Sequence, residues 1–446
     1  MSDNRSEYAR RRAAFVAKIG DAVAILPSAP ETIRTNDSHY LYRQDTDLHY
    51  LTGFDEPESV LVLAPGHATT KSVLFVRPRD PERETWDGKR AGVEGAVRDF
   101  GVDAAYPIGE LDAKLPELLD SAPTLFYAFD RDDAFNRRIV SLLKGYRSSR
   151  RRSDGGPLTL VDPSTTLHEM RVFKSPADIE GMRRAAAISR EAHIAAMASS
   201  RPGMHEYEIQ AIVEYVFTSR GAQYPAYPSI VASGPNATIL HYVSNRRRVG
   251  DDDLVLIDAG AEVDLYCADI TRTWPMSGKF TPEQRAVYDI VLAAQARCIE
   301  LCKPGVAFNT VVNEAATRVI AEGLIDLGLI KGPLDDAIAS GAYKRFYMHR
   351  IGHFLGMDTH DVGSMREARD WRLLQPGMVV TIEPGIYVPD EDGVDARFRG
   401  IGVRIEDNLL ITPGGHDNLT DGTPKSIEDV ERTIAEGREA RTPLPV

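Results

Sequence analysis

The chain is poor in cysteine, with three in 446 residues: Cys267, Cys298 and Cys302. That is too few for a disulfide framework, and all three read as buried, reduced thiols. Long apolar runs are absent too. Nowhere do about 18 consecutive apolar residues occur, so no membrane-spanning helix is expected. The basic stretch over residues 1–20 lacks the apolar run of a signal peptide, and a soluble cytoplasmic protein is the expectation. Positive charge is in deficit, with 53 Lys and Arg against 66 Asp and Glu and a net charge of −13. Such a surface argues against nucleic acid or anionic membrane as the main partner. No internal repeat and no low-complexity segment is found. What the chain does have is 43% hydrophobic residues, enough for a full core, and a length that suits one small and one large domain or up to three domains.

Up to about residue 170, short apolar runs alternate with turn signals. Val60–Leu63 and Ser72–Val76 are each bounded by Pro or Gly, as buried strands of an α/β domain would be. Residues 147–157 are polar, basic and Gly-rich and read as a loop with a solvated charge run. A helix is predicted from Ser175 onward: Ser175 as N-cap, Pro176 in the first turn, and Asp178 three residues after the cap. Ile179, Met182, Ala186 and Met197 follow at near-helical spacing. Further helical patterns fall at about 205–219, 281–303 and 309–327. Strand-like runs fall at 254–257, 378–382 and 403–411. The expected organisation is α+β, an N-terminal α/β domain over 1–170 followed by a mixed domain over 171–446.

The chemistry is carried by where acidic residues fall. Asp258 directly follows the run Leu254–Ile257, Glu383 directly follows Val379–Ile382, and Glu406 sits among strand formers. Carboxylates so placed are expected to be buried, which costs several kcal/mol unless they are paired or bind metal. Asp269 lies eleven residues after Asp258, beyond Val263–Tyr266, which can turn a hairpin and bring the two carboxylates to one face. Two like charges there call for a cation between them. His349, His353 and His360 fall within twelve residues, out of eleven histidines in the whole chain. Gly352 and Gly356 favour a loop over a helix for this stretch. One histidine with four carboxylates suits Mn²⁺, Co²⁺, Zn²⁺ or Fe²⁺. Four carboxylates balance two divalent ions, which can activate a shared water for hydrolysis.

These segments resemble a known family. Ile257–Gly260, Ala268–Thr273, His349–Gly363, Thr381–Gly385 and Gly402–Asp407 are similar, in order, to the five ligand motifs of the pita-bread metallopeptidases. Within that group they most resemble the aminopeptidase P (Xaa-Pro aminopeptidase) family. Tyr42–Phe54 and His168–Pro176 resemble that family's N-terminal domain and the join after it, so the likeness covers nearly the whole chain. It implies a C-terminal pita-bread (creatinase/aminopeptidase-like) fold and two divalent ions per chain, Mn²⁺ first, with Co²⁺ and Zn²⁺ as alternatives. Asp258 would bind one ion, Asp269 and Glu406 both, and His353 and Glu383 the other, with Glu383 also taking a proton from the water. His241 would face the substrate, His349 and His360 would hold the scissile carbonyl, and Arg404 and Tyr387 would orient the ligands, with Tyr387 at the substrate. Arg350 and Ile351 depart from the family pattern at the rim. The implied reaction is removal of a residue that precedes proline, from peptides with proline in second position. The alternative is a prolidase acting on Xaa-Pro dipeptides through the same site. Trp86, in the segment Glu84–Arg90, resembles a loop that reaches a neighbouring subunit's substrate, which implies a homo-oligomer, dimer or tetramer.

Overall fold

The computed structural model describes residues 5–129, 131–149 and 155–440, and the chain divides into two compact units, Met1–Met170 and Arg171–Val446. In the first unit a mixed six-stranded sheet runs in the spatial order 104–107, 72–76, 60–63, 23–27, 124–126, 159–161. Val60–Leu63 is buried at every position, as a continuous apolar run in a covered sheet should be. Val62, Phe75, Leu119 and Ile139 belong to one core against that sheet.

Two sequence expectations change here. The helix Asp133–Ser149 runs into the stretch read as a loop from residue 147, while residues 150–154 of that stretch lie outside the described residues. The segment around Trp86 is also helical over Pro81–Asp87, because the Asp80 carboxylate accepts from the Glu82 and Arg83 amides and Pro81 fits the first turn. Trp86 stands on it 86% exposed.

In the second unit the helix predicted after Ser175 spans Pro176–Ser199, with the Ser175 hydroxyl and Asp178 carboxylate bonding reciprocally at its start. Glu206–Ser219 and Pro282–Leu301 match their patterns. The last pattern begins as a wide turn over Phe308–Val312 before the α-helix Asn313–Asp326. Cys298 and Cys302 are buried in the core that these helices share with the sheets, and all three cysteines are free thiols. Among the described residues no helix is long and apolar enough to cross a membrane.

Two long antiparallel ladders carry the acidic residues. In one, Leu254–Asp258 pairs with Thr271–Pro275, and further along Glu262 and Val263 pair with Cys267 and Tyr266. The turn is Asp264-Leu265, both left-handed at φ 50° and 64°, the twist a two-residue hairpin needs. In the other, Val379–Ile382 pairs with Asp407–Leu410, and Gly385–Tyr387 pairs with Gly402–Arg404. The run 403–411, expected as one strand, is therefore broken at Ile405-Glu406. The break faces Glu383-Pro384 on the partner strand, where Pro384 has no amide to donate.

Candidate metal centre

Each acidic pair emerges where its ladder is interrupted. Asp258 is the last residue of its strand, opposite Thr271, and Asp269 lies two residues before Thr271. Gly260 permits the close approach, since a Cβ there would lie 1.7 Å from the Ala268 carbonyl oxygen. Glu383 and Glu406 leave the second ladder from its two facing gaps. Their backbones are held by Glu383 N–H to Ile351 O at 2.8 Å and Glu406 N–H to Thr271 O at 3.0 Å. The second bond ties the two ladders together beside the site.

His353 lies in a loop, as Gly352 and Gly356 imply. The stretch is fastened to the Val379–Ile382 strand by Thr381 N–H to His353 O and Leu355 N–H to Val379 O. The imidazole Nδ1 donates to Phe354 O at 2.8 Å. That leaves Nε2 available to ligate, and it lies 3.5 Å from Asp269 Oδ2 and 3.7 Å from Glu383 Oε1. Asp269, His353 and Glu406 each offer one atom, all within 4.8 Å of one another, a spacing that can hold a metal ion. Asp258 and Glu383 fall outside that triplet but are joined to it. The Tyr227 hydroxyl is 2.5 Å from both Asp258 Oδ1 and Asp269 Oδ1. It has one proton for two carboxylates, so a second proton or a cation must lie between them.

The surroundings hold the cluster firmly. Arg404 donates to Asp258 Oδ2 at 2.6 Å, to the Tyr387 hydroxyl at 3.0 Å and to Thr271 Oγ1 at 3.1 Å. Thr271 in turn donates to Glu406 Oε2 at 2.8 Å. Behind them the fully buried Arg272 binds the Glu406 carbonyl and Asp407. Burial pushes Glu406 well above the usual carboxylate range, helped by Asp269 and Glu383, and raises Asp258 despite Arg404. Burial also raises Glu383, to about 7, against the pull of His353 and Arg404. Asp269 goes the other way, because its bond to His353 overcomes burial. Burial alone would lower His353, but its contacts with Asp269 and Glu383 raise it to about 9. A ring of one imidazole and four carboxylates, its protons held by burial and by one another, fits divalent cations of hard or borderline character.

The other predicted histidines line one side. His349 donates from Nδ1 to Arg350 O at 2.8 Å, and its Nε2 meets the Tyr387 hydroxyl at 2.8 Å. Burial, then Arg404, lowers it to about 4, so the ring is neutral and its Nε2 accepts from Tyr387. Both nitrogens are thus taken unless Tyr387 lets go. His360 is exposed and packs edge-on against His353 at 4.4 Å between centroids. His241 is exposed on the irregular run after the turn Gly234–Thr238. Tyr387 is 1% exposed, with its hydroxyl spanning Arg404 and His349. Trp86 belongs to the first unit. Sequence reasoning missed Tyr227 and Thr271. Tyr227 had no spacing signal; it precedes the strand whose first residue, Ile230, pairs with Asp258, a neighbour relation only the fold creates.

Comparison with known proteins is consistent across the chain. Residues 180–413 match the model described as metallopeptidase family M24, and residues 8–127 match the aminopeptidase P N-terminal domain. The Xaa-Pro aminopeptidase of Escherichia coli (strain K12) is 42% identical over 437 residues, 98% of this chain and 99% of that protein. The structure of Pseudomonas aeruginosa aminopeptidase PepP superposes with a TM-score of 0.95 at 48% identity, covering 98% and 99% of the two chains. A zinc-substituted Escherichia coli aminopeptidase P in complex with product matches with a TM-score of 0.94 at 42% identity, covering 97% and 99%.

Proposed function

This chain belongs to metallopeptidase family M24, and we propose that it hydrolyses the bond between an N-terminal residue and a following proline. The observation that carries the reading is the convergence of Asp269, His353 and Glu406, with Asp258 and Glu383 tied to them through Tyr227 and His353. The names of its relatives and the aminopeptidase P N-terminal match favour an aminopeptidase over a prolidase.

We assign Asp258, Asp269, His353, Glu383 and Glu406 as the residues that would hold two divalent ions. Mn²⁺ is our first choice, and the zinc-substituted relative supports a site that accepts more than one metal. When bound, the ions supply an activated water and polarise the carbonyl under attack. The protein's own part is orientation and proton handling. His353 is fixed by its bond to Phe354 O so that Nε2 faces inward. Glu383, whose carboxyl holds a proton up to about pH 7 before metal binds, is placed to take one from water and pass it to the departing proline nitrogen. Arg404 fixes Asp258 and, through Tyr387, the ring of His349. His360 and His241 face the substrate, and His360 is the freer donor for a developing oxyanion. Trp86, exposed and unpacked in its own unit, serves the leaving-group side in a homo-oligomer. Peptides with proline in second position are the partners. The net charge of −13 disfavours nucleic acid, and three reduced, buried thiols suit the cytoplasm.

Substrate length tests the reading. Metal-stripped protein reloaded with Mn²⁺ should cleave Xaa-Pro-Yaa well and Xaa-Pro poorly, because a dipeptidase needs a closed, cationic end to its pocket. A kcat/KM at least about tenfold higher for the dipeptide, some 1.4 kcal/mol of preference, would make the chain a prolidase. Turnover by stripped, metal-verified protein would end the metallopeptidase reading altogether.

A further inference from the structure

The segment that carries His241 has almost no regular structure. A single 3₁₀ turn, Gly234–Thr238, is followed by an irregular run to Arg247. Buried Asn245 ties its later part to Gln210, Ser229 and Val231, but the anchor that grips it on both sides of His241 is one side chain on a helix. Glu206, the first residue of Glu206–Ser219, is fully buried. Five donors converge on its carboxylate. Ser233 N–H at 2.8 Å, Ser233 Oγ at 2.7 Å and Asn236 Nδ2 at 3.0 Å reach Oε1. Tyr242 OH and Arg247 N–H, both at 2.8 Å, reach Oε2. In return, Glu206 N–H donates to Arg247 O at 3.0 Å.

All five donors are neutral groups, and all belong to Ser233–Arg247, with His241 between them. A buried carboxylate costs several kcal/mol unless hydrogen bonds or a cation replace its water; these five donors fill the roughly four acceptor sites of the group, and the Arg247 guanidinium, which donates to Ser233 Oγ at 2.8 Å, adds its charge nearby. The far side of the turn is also fixed. A Cβ on Gly402 would lie 2.1 Å from the Ala237 carbonyl oxygen, so the turn lies against the Gly402–Arg404 strand. His241 itself is exposed, and no hydrogen bond to its ring is found among the described residues. Its backbone, then, is what the structure holds in place.

We propose that Glu206 is a positioning residue: its buried carboxylate fixes the Ser233–Arg247 segment and thereby directs His241 at the substrate. This rests on the reading of His241 as a substrate-side group, and a double-mutant cycle separates the two. Glu206→Gln, Tyr242→Phe, His241→Ala and the two doubles with His241→Ala are compared on Xaa-Pro-Yaa with Mn²⁺ loaded, alongside metal content and melting temperature. Glu206→Gln should lower kcat/KM by about 10- to 10²-fold with metal content unchanged. Tyr242→Phe should do the same more weakly. When His241→Ala is already in place, either substitution should change kcat/KM by less than about twofold, whatever it does to the melting temperature. If Glu206→Gln is as active as the parent, or if its loss is equally large without His241, Glu206 serves the fold only and the proposal is wrong. If His241→Ala is itself silent, the reading of His241 fails and takes the proposal with it. Should Glu206→Gln fail to fold, the Tyr242→Phe cycle decides by the same criterion.

Discussion

Several ligands of the proposed centre hold protons that a metal must displace. Glu383 is raised to about 7 by burial and the neighbouring carboxylates, and His353 to about 9 by Asp269 and Glu383. In both cases the folded chain binds its proton more tightly than the unfolded chain does. The stability each contributes is present below its unfolded pKa and is lost as pH rises through the folded one. The metal-free protein should therefore lose stability between about pH 5 and pH 9, roughly 3 kcal/mol from each group. Divalent metal replaces the protons, so its affinity should rise over the same window. Melting temperatures with chelator and with Mn²⁺, taken at each pH, check this. A chelated protein whose stability is flat or climbs from pH 5 to 9 would refute the proton assignment. Tyr227 belongs to the same account, since its one proton between Asp258 and Asp269 leaves room for a second proton or a cation.

At the level of elements, the centre is built from interruptions. Each ladder pairs, breaks and pairs again, and the carboxylates leave at the breaks. The break in the first ladder depends on Gly260, whose missing Cβ leaves room for the Ala268 carbonyl. Gly260→Ala should push Asp258 and Asp269 apart, destabilise the fold by about 1–3 kcal/mol and lower bound metal. Gly414→Ala, where a Cβ meets nothing within 4 Å, should stay within about 0.5 kcal/mol and keep its metal. Denaturant titrations with elemental analysis compare the two, and equal behaviour would refute the role given to the break. The predicted hairpin at Val263–Tyr266 formed because Asp264-Leu265 accepts left-handed geometry. The single strand over 403–411 did not form, because the chain changes partners at Glu406. Strand-forming residues run through the break without a mark.

For the molecule as a whole, Trp86 is the residue proposed to act on substrate in a homo-oligomer. The proposed ligands all lie in the second unit, whereas Trp86 lies in the first. It sits on a helix in which no residue is buried. Its exposure of 86% is unusual for the largest apolar side chain and suits a residue whose partner is substrate. Trp86→Ala should raise KM for peptides longer than Xaa-Pro-Yaa about tenfold, some 1.4 kcal/mol of binding, while metal content and kcat stay near those of the parent. Unchanged KM across peptide lengths would remove Trp86 from the substrate path.

The sequence by itself determined the residues that end strands in acid, the helix start at Ser175 and the loop character of the histidine stretch. Each is a local property: an apolar run stopping at Asp258 or Glu383, a capping box at Ser175, glycines around His353. Tertiary structure alone decided which groups share protons and who holds whom. Tyr227 reaches Asp258 across 31 residues, Thr271 reaches Glu406 across 135, and Arg404 reaches Asp258 across 146. Glu206 is the clearest case. In the sequence it is one more acid in a first helical turn, where the helix dipole alone would justify it. Five donors from 27 to 41 residues away turn it into the anchor of an irregular segment. Such long-range donors leave no periodic trace, because a hydrogen bond constrains positions in space and places no demand on spacing along the chain.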